Sequence, residues 1–155
     1  MNFMPERQTF ERAREDEREG KSPSTQAGEF VREEFHHIRE GKHGARSTGR
    51  AIAIGLSKAR RAVVKLPPPR RGRVSLKIRR QAERDYERGQ PDGHGYISGR
   101  RSRATLAALR HEGRQAASTC AIARQTRATA RTRTASERSA GARKAARTRK
   151  SAKNL

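Results

Sequence analysis

The sequence predicts a mostly α-helical protein, a helical hairpin plus short helices, with extensive disordered basic regions. Three observations lead there. Leu, Ile, Val and Phe together supply only 20 of 155 residues, below the share of roughly one fifth under which a highly charged chain is expected to stay unfolded. Half of those 20 lie between Phe30 and Leu66, so an ordered core is expected there. Within that stretch the apolar spacing is helical. Elsewhere, burial cannot offset an ordering cost of about 1–2 kcal/mol per residue.

Charge divides the chain unevenly. The net charge is +22, yet residues 1–40 hold 10 acids against 7 Lys/Arg, and residues 41–155 hold 6 acids against 31. Such a chain repels itself and collects polyanions, because each neutralised phosphate releases a condensed counterion. Of the 38 basic residues, 30 are Arg, whose planar fork matches phosphate oxygens where Lys offers a point charge. No apolar run approaches the ~18–20 residues of a membrane span, and the first residues alternate in charge where a signal peptide would be apolar. Cys120 is the single cysteine, which precludes an internal disulfide and fits a reducing compartment. A cytoplasmic, nucleoid-associated protein with no membrane partner is expected.

Five segments follow in order. Residues 1–27 are polar, with charges alternating through Glu11–Glu19 and no apolar stripe, and read as disordered or as a frayed helix. Residues 28–66 read as a helical hairpin module. Val31, Phe35 and Ile38 recur at helical spacing, with Glu33, Glu34 and Arg39 largely off that face, and Gly41 stops the helix. After the loop Gly41–Gly44, Ser47 or Thr48 caps a second helix whose face is Ile52, Leu56, Ala59 and Val63. Residues 67–74 are a Pro/Arg hinge, where three consecutive prolines favour an extended, stiff spacer. Residues 75–113 hold weak helices, one at Ser75–Arg88 carrying Leu76, Ile78, Ala82 and Tyr86, another capped by Ser102 and carrying Leu106 and Leu109. A Gly-rich loop from Gly89 to Gly99 lies between them. Residues 114–155 form a basic tail of Ala, Arg, Thr, Ser and Lys, disordered in water but able to gain helix once phosphates neutralise it.

The stretches Phe35-His36-His37-Ile38-Arg39-Glu40-Gly41-Lys42-His43-Gly44-Ala45-Arg46-Ser47-Thr48 and Ala51-Ile52-Ala53-Ile54-Gly55-Leu56-Ser57-Lys58-Ala59-Arg60-Arg61-Ala62 resemble a family of small basic bacterial proteins of unknown function. Its members are often labelled DNA-binding or plasmid-stabilisation proteins. Leu66–Pro69 and Arg101–Arg114 are similar to that family's downstream segments, and Lys144–Lys150 is similar to histone-H1-like bacterial tails. One departure is Gly49-Arg50, where the family pattern implies Lys-Gln; a first-turn glycine weakens the helix start. Beyond those labels the family has no established activity to transfer.

No enzyme, cofactor or small-molecule substrate is expected. The carboxylates sit in solvated charge runs without a cleft, Gly41–Gly44 lacks phosphate-loop spacing, and Cys120 has no packed pocket. His36, His37 and His43 invite a metal reading. Adjacent helical histidines point about 100° apart, though, and no cysteine is near, so they read as solvent-facing or loop residues, with no metal. The basic clusters carry the functional expectation. In the hairpin they are Arg46, Arg50, Lys58, Arg60 and Arg61; in the hinge, Arg70, Arg71 and Arg73, an Arg-Gly-Arg unit able to enter a narrow minor groove. Arg100, Arg101 and Arg103 precede a helix. Arg124, Arg127, Arg131, Arg133, Arg143, Lys144, Arg147, Arg149 and Lys150 line the tail. These point to sequence-tolerant phosphate contacts. With 4 Phe, 2 Tyr and no Trp there is little to stack bases on, which favours duplex DNA over RNA. The alternatives are an RNA- or ribosome-associated basic protein, a helix-turn-helix-like regulator, or a protein-interaction or self-association hairpin at 28–64 with a solubilising tail.

Overall fold

The computed structural model describes residues 5–62, 64–90 and 98–152. Among them are seven α-helices, one 3-10 turn and no strand. The chain divides into two units, residues 1–118 and 119–155. The expected loop at 91–97 and the inward role given to Val63 lie outside the described residues.

In the first unit α1 (Arg7–Arg18) packs on α2 (Pro23–Arg39), α2 on α3 (Thr48–Arg61), and α3 on α4 (Leu76–Gly89). The N-terminal segment is therefore a docked helix. Its seam is narrow: Thr9 and Ala13 are buried, and Phe10 meets Phe30 edge-to-face at 5.7 Å between ring centroids. A stripe that thin, with a threonine as one of its three members, contains a single large apolar residue, Phe10. Arg12 Nε also reaches Glu29 Oε2 at 2.7 Å.

Both α1 and α2 end in the same device. Gly41 has φ +75°, its N–H bonds to the Ile38 carbonyl at 3.2 Å, and the Lys42 N–H bonds to the His37 carbonyl at 2.9 Å. That pair of bonds satisfies the last carbonyls of the helix and turns the chain back. Ser47 then caps α3, its hydroxyl accepting from the Arg50 N–H at 3.1 Å.

The seam between α2 and α3 is rotated by roughly a quarter turn from the faces that the large apolar residues mark. On α2 the buried residues are Gln26, Ala27, Phe30, Glu33, Glu34, His37 and Ile38, with Val31 and Phe35 only half-buried at its flank. On α3 they are Thr48, Ala51, Gly55, Lys58, Ala59 and Arg60, with Ile52 and Leu56 half-buried. Close approach explains the shift. A Cβ built on Gly55 would stand 2.7 Å from the Val31 Cα, so the smallest residues of α3 must face α2.

The proline run does not hold α4 away from α3. Leu66 packs against the cluster of Ala13, Ala27, Phe30, Ala59 and Val64, and the chain reverses at Gly72, where φ is +81°. Arg79 Nε, from the first turns of α4, then reaches back to the Pro69 carbonyl at 3.1 Å. The inward stripe of α4 is Ala82, Asp85 and Gly89, while Leu76 and Ile78 are exposed. Helix α5 (Gly99–Arg110) is capped by Ser98, not Ser102, and buries Leu109. Beyond it, the 3-10 turn Gln115–Ala117 supplies Ala116 and Ala117 to a second cluster with Ile38, Ala45 and Ala51.

The second unit holds α6 (Thr119–Arg131) and α7 (Ala135–Ala152), where a disordered tail was expected. Alanine and arginine are strong helix formers. A reciprocal cap also starts α7: Thr134 N–H donates to Glu137 Oε2 at 2.9 Å and Glu137 N–H to Thr134 Oγ1 at 3.2 Å. No residue of α6 is buried.

Candidate functional site

Burial sorts the basic residues. Arg46, Arg50, Arg70, Arg71, Arg73, Arg100, Arg101 and Arg103 are exposed, as are Arg124, Arg127, Arg131, Arg133, Arg143, Lys144, Arg147, Arg149 and Lys150. Arg61 is half-buried and hydrogen-bonds to the Ser57 carbonyl at 3.3 Å.

Lys58 and Arg60 were expected to face phosphate, and the structure turns both inward. Lys58 Nζ lies 2.7 Å from Glu34 Oε2, with side chains 3% and 0% exposed. Arg60 Nε donates to the Leu66 carbonyl at 3.3 Å, and burial lowers its pKa while Asp85 opposes the shift. The cause is periodicity: Lys58 falls one turn after Gly55, on the seam that closes against α2. Neither side chain can meet a phosphate in this fold.

The outward basic groups are set by local structure. Arg100, Arg101 and Arg103 occupy the opening turns of α5, not a segment before it. There, the positive end of the helix dipole adds to their charge. Arg70, Arg71 and Arg73 frame the turn at Gly72. On α6, Arg124, Arg127 and Arg131 recur at i, i+3 and i+7 and share one face, and on α7 Arg143, Arg147 and Lys150 recur at i, i+4 and i+7. Residues 119–152 carry ten Lys/Arg against the single acid Glu137.

The histidines, read as solvent-facing or loop residues, divide: His36 is exposed and His43 lies in the loop, but His37 and His43 are both buried, together with Glu33, Glu34 and Lys58. His43 Nε2 lies 3.2 Å from Glu34 Oε1, and His37 Nε2 lies 2.9 Å from Glu6 Oε1 and 3.6 Å from Glu33 Oε1. Glu33 Oε1 also accepts the backbone N–H of Glu6 at 3.1 Å, pinning the start of α1. Lys42 Nζ closes the outer edge, 3.1 Å from Glu6 and 2.9 Å from Glu40. The Glu6 carboxyl is held down to about 2, first by its hydrogen bond to His37 and next by that to Lys42. His43 reaches this cluster because its loop presses against the turn after α5. Gly44 N–H bonds the Leu109 carbonyl at 2.8 Å, and a Cβ on Gly44 would collide with the Glu112 carbonyl. The signal for the cluster was the spacing Glu33-Glu34-x-x-His37, which stacks carboxylates and imidazole on one helical face.

Comparison with protein families, with curated proteins and with solved structures finds no match to this chain.

Proposed function

We propose that this protein binds nucleic acid without strong sequence preference, duplex DNA before RNA, through arginine and lysine contacts to phosphate. One observation carries the reading: residues 119–152, which form α6, α7 and the turn between them, present ten basic groups against one acid, and α6 buries none of its residues. Helices with no buried face owe little to packing and are marginal alone. Phosphates that neutralise them supply the missing stabilisation, so binding and helix formation in residues 119–152 are coupled, and the tail is disordered without its partner. The arginines at 70–73 and 100–103 add contacts of the same kind. A nucleoid-associated, non-enzymatic role follows from this chemistry. The helix-turn-helix alternative relies on Arg46, Arg50, Lys58, Arg60 and Arg61, of which Lys58 and Arg60 are buried while Arg46 and Arg50 stay exposed.

The test is a salt titration of duplex binding by the full chain and by the triple variant Arg124→Gln, Arg127→Gln, Arg131→Gln. Each lost phosphate contact lowers the slope of log K against log salt by about 0.9, so the variant's slope is expected to be shallower by about 2.7. An affinity indifferent to salt, or a slope unchanged in the variant, overturns the reading.

A further inference from the structure

The buried cluster between α2, α3 and the 41–47 loop has a chemistry that phosphate binding does not use. Glu34, His37 and His43 are all buried and offer ligand atoms within 4.8 Å of one another. Glu6, Glu33 and His37 form an adjoining group in which Glu6 is exposed and the other two are buried. From these residues we infer that the α2–loop junction is a binding site for a first-row divalent metal ion of the zinc type, with Glu34, His37 and His43 as protein ligands.

Three observations support it. The first is spacing. Bonds of about 2.0–2.1 Å at tetrahedral angles place ligand atoms about 3.3 Å apart, and Glu34 Oε1 stands 3.2 Å from His43 Nε2. Two imidazoles with one carboxylate suit zinc and its neighbours rather than calcium or magnesium, which take oxygen.

The second is the tautomer of His43. Its Nδ1 is 3.1 Å from the Gly44 carbonyl, which can only accept, so Nδ1 carries a hydrogen. Nε2 therefore faces a carboxylate oxygen with either a second proton or a cation between them. A backbone carbonyl holding the far nitrogen is the usual outer support of a metal-binding histidine. For His37, the carboxylates of Glu6 and Glu33 fix the ring in a comparable way.

The third is Glu34. Its side chain is wholly buried, and Oε1 makes no hydrogen bond. A buried carboxylate oxygen without a donor is costly, and a cation held between it and the two histidines supplies the missing positive charge. Lys58 occupies Glu34 Oε2 and leaves Oε1 turned to the site, so the lysine neutralises one oxygen without blocking the other.

The experiment loads the metal-stripped full-length chain with cobalt(II), records its visible absorption, and displaces it with zinc(II). One tightly held cobalt per chain is expected, with the intense bands of low-coordinate geometry, and zinc is expected to abolish them and raise the thermal midpoint. His43→Gln should lose the bound metal, while His36→Gln, one residue from His37 but exposed, should keep it. A wild-type chain that binds no cobalt, or binds it with only weak octahedral bands, overturns the proposal without reference to any variant. Equal loading of His43→Gln overturns it as well, and would make the cluster a proton-bridged ion pair.

Discussion

The inward turn of Lys58 makes a strong and specific prediction. Its ammonium lies 2.7 Å from Glu34 Oε2, with both side chains almost wholly buried. At an effective dielectric of about 20 the attraction across that distance is about 6 kcal/mol. Replacing Lys58 with methionine keeps most of the stem's packing. It removes the attraction and the lysine's own dehydration cost of several kcal/mol, while Glu34 stays dehydrated without its main partner. The net loss expected on breaking such a pair is about 3–5 kcal/mol, a large part of the roughly 5–15 kcal/mol that holds a domain together. Urea unfolding followed by helical circular dichroism reads it directly. Lys65→Met, at an exposed position, should stay within about 0.5 kcal/mol of the parent. The double change Glu34→Leu with Lys58→Met should recover most of the loss, because no lone charge is left behind. If Lys58→Met costs less than about 1 kcal/mol, the lysine is solvated and the buried cluster does not exist as described. Duplex affinity and its salt slope should be the same in Lys58→Met and parent under conditions where both are folded.

Two glycines on facing helices should respond to alanine with opposite signs. Gly55→Ala forces a Cβ to within 2.7 Å of the Val31 backbone, and the cost of prying α2 from α3, about 1–3 kcal/mol, outweighs the gain in helix propensity. Gly28→Ala meets nothing within 4 Å and should stabilise α2 by up to about 1 kcal/mol, so urea midpoints that move together refute the close approach. Acid should act through Glu6, whose folded-state pKa of about 2 lies below its ordinary value of 4.5. Between those values the unfolded chain binds more protons, so the stability from this carboxylate is full above 4.5 and disappears as pH falls towards 2. Glu6→Gln should flatten that part of the urea-midpoint curve, by an amount that added salt reduces because the side chain is half exposed.

Helices α2, α3 and α4 are legible because punctuation marks them: Ser47 caps, Gly41 stops, and the apolar residues recur at helical spacing, although α2 starts at Pro23, five residues before the expected Gly28. What misleads is the assumption that the largest apolar residues mark the seam. Ile52 and Leu56 are only half-buried, whereas Ala51, Gly55 and Ala59 face inward, since contact between two backbones rewards small side chains over large ones. Helix α1 is hidden for a related reason, being docked by Phe10 and two small neighbours. The start of α7 was legible in Thr134-Ala135-Ser136-Glu137, a reciprocal capping pattern masked by the low-complexity composition around it. Chain reversal after the prolines depends on Gly72, one residue inside a run that otherwise reads as charge alone.

The buried cluster was harder to see because composition argues against it. In a chain so rich in base, a lysine or arginine reads as surface until its helical phase is fixed. That phase depends on which helix lies opposite, which is not written locally. Yet once Gly55 sets α3 against α2, Lys58 has no outward option, and only a glutamate on the facing helix can accept it. Glu34 lies one helical turn from Phe30 and from Ile38, both fully buried, so its carboxylate enters with them. The same burial that removes Lys58 and Arg60 from any phosphate-binding surface thus builds the polar centre of the fold. The arginines left outside concentrate where no core competes for them, on α6 and α7.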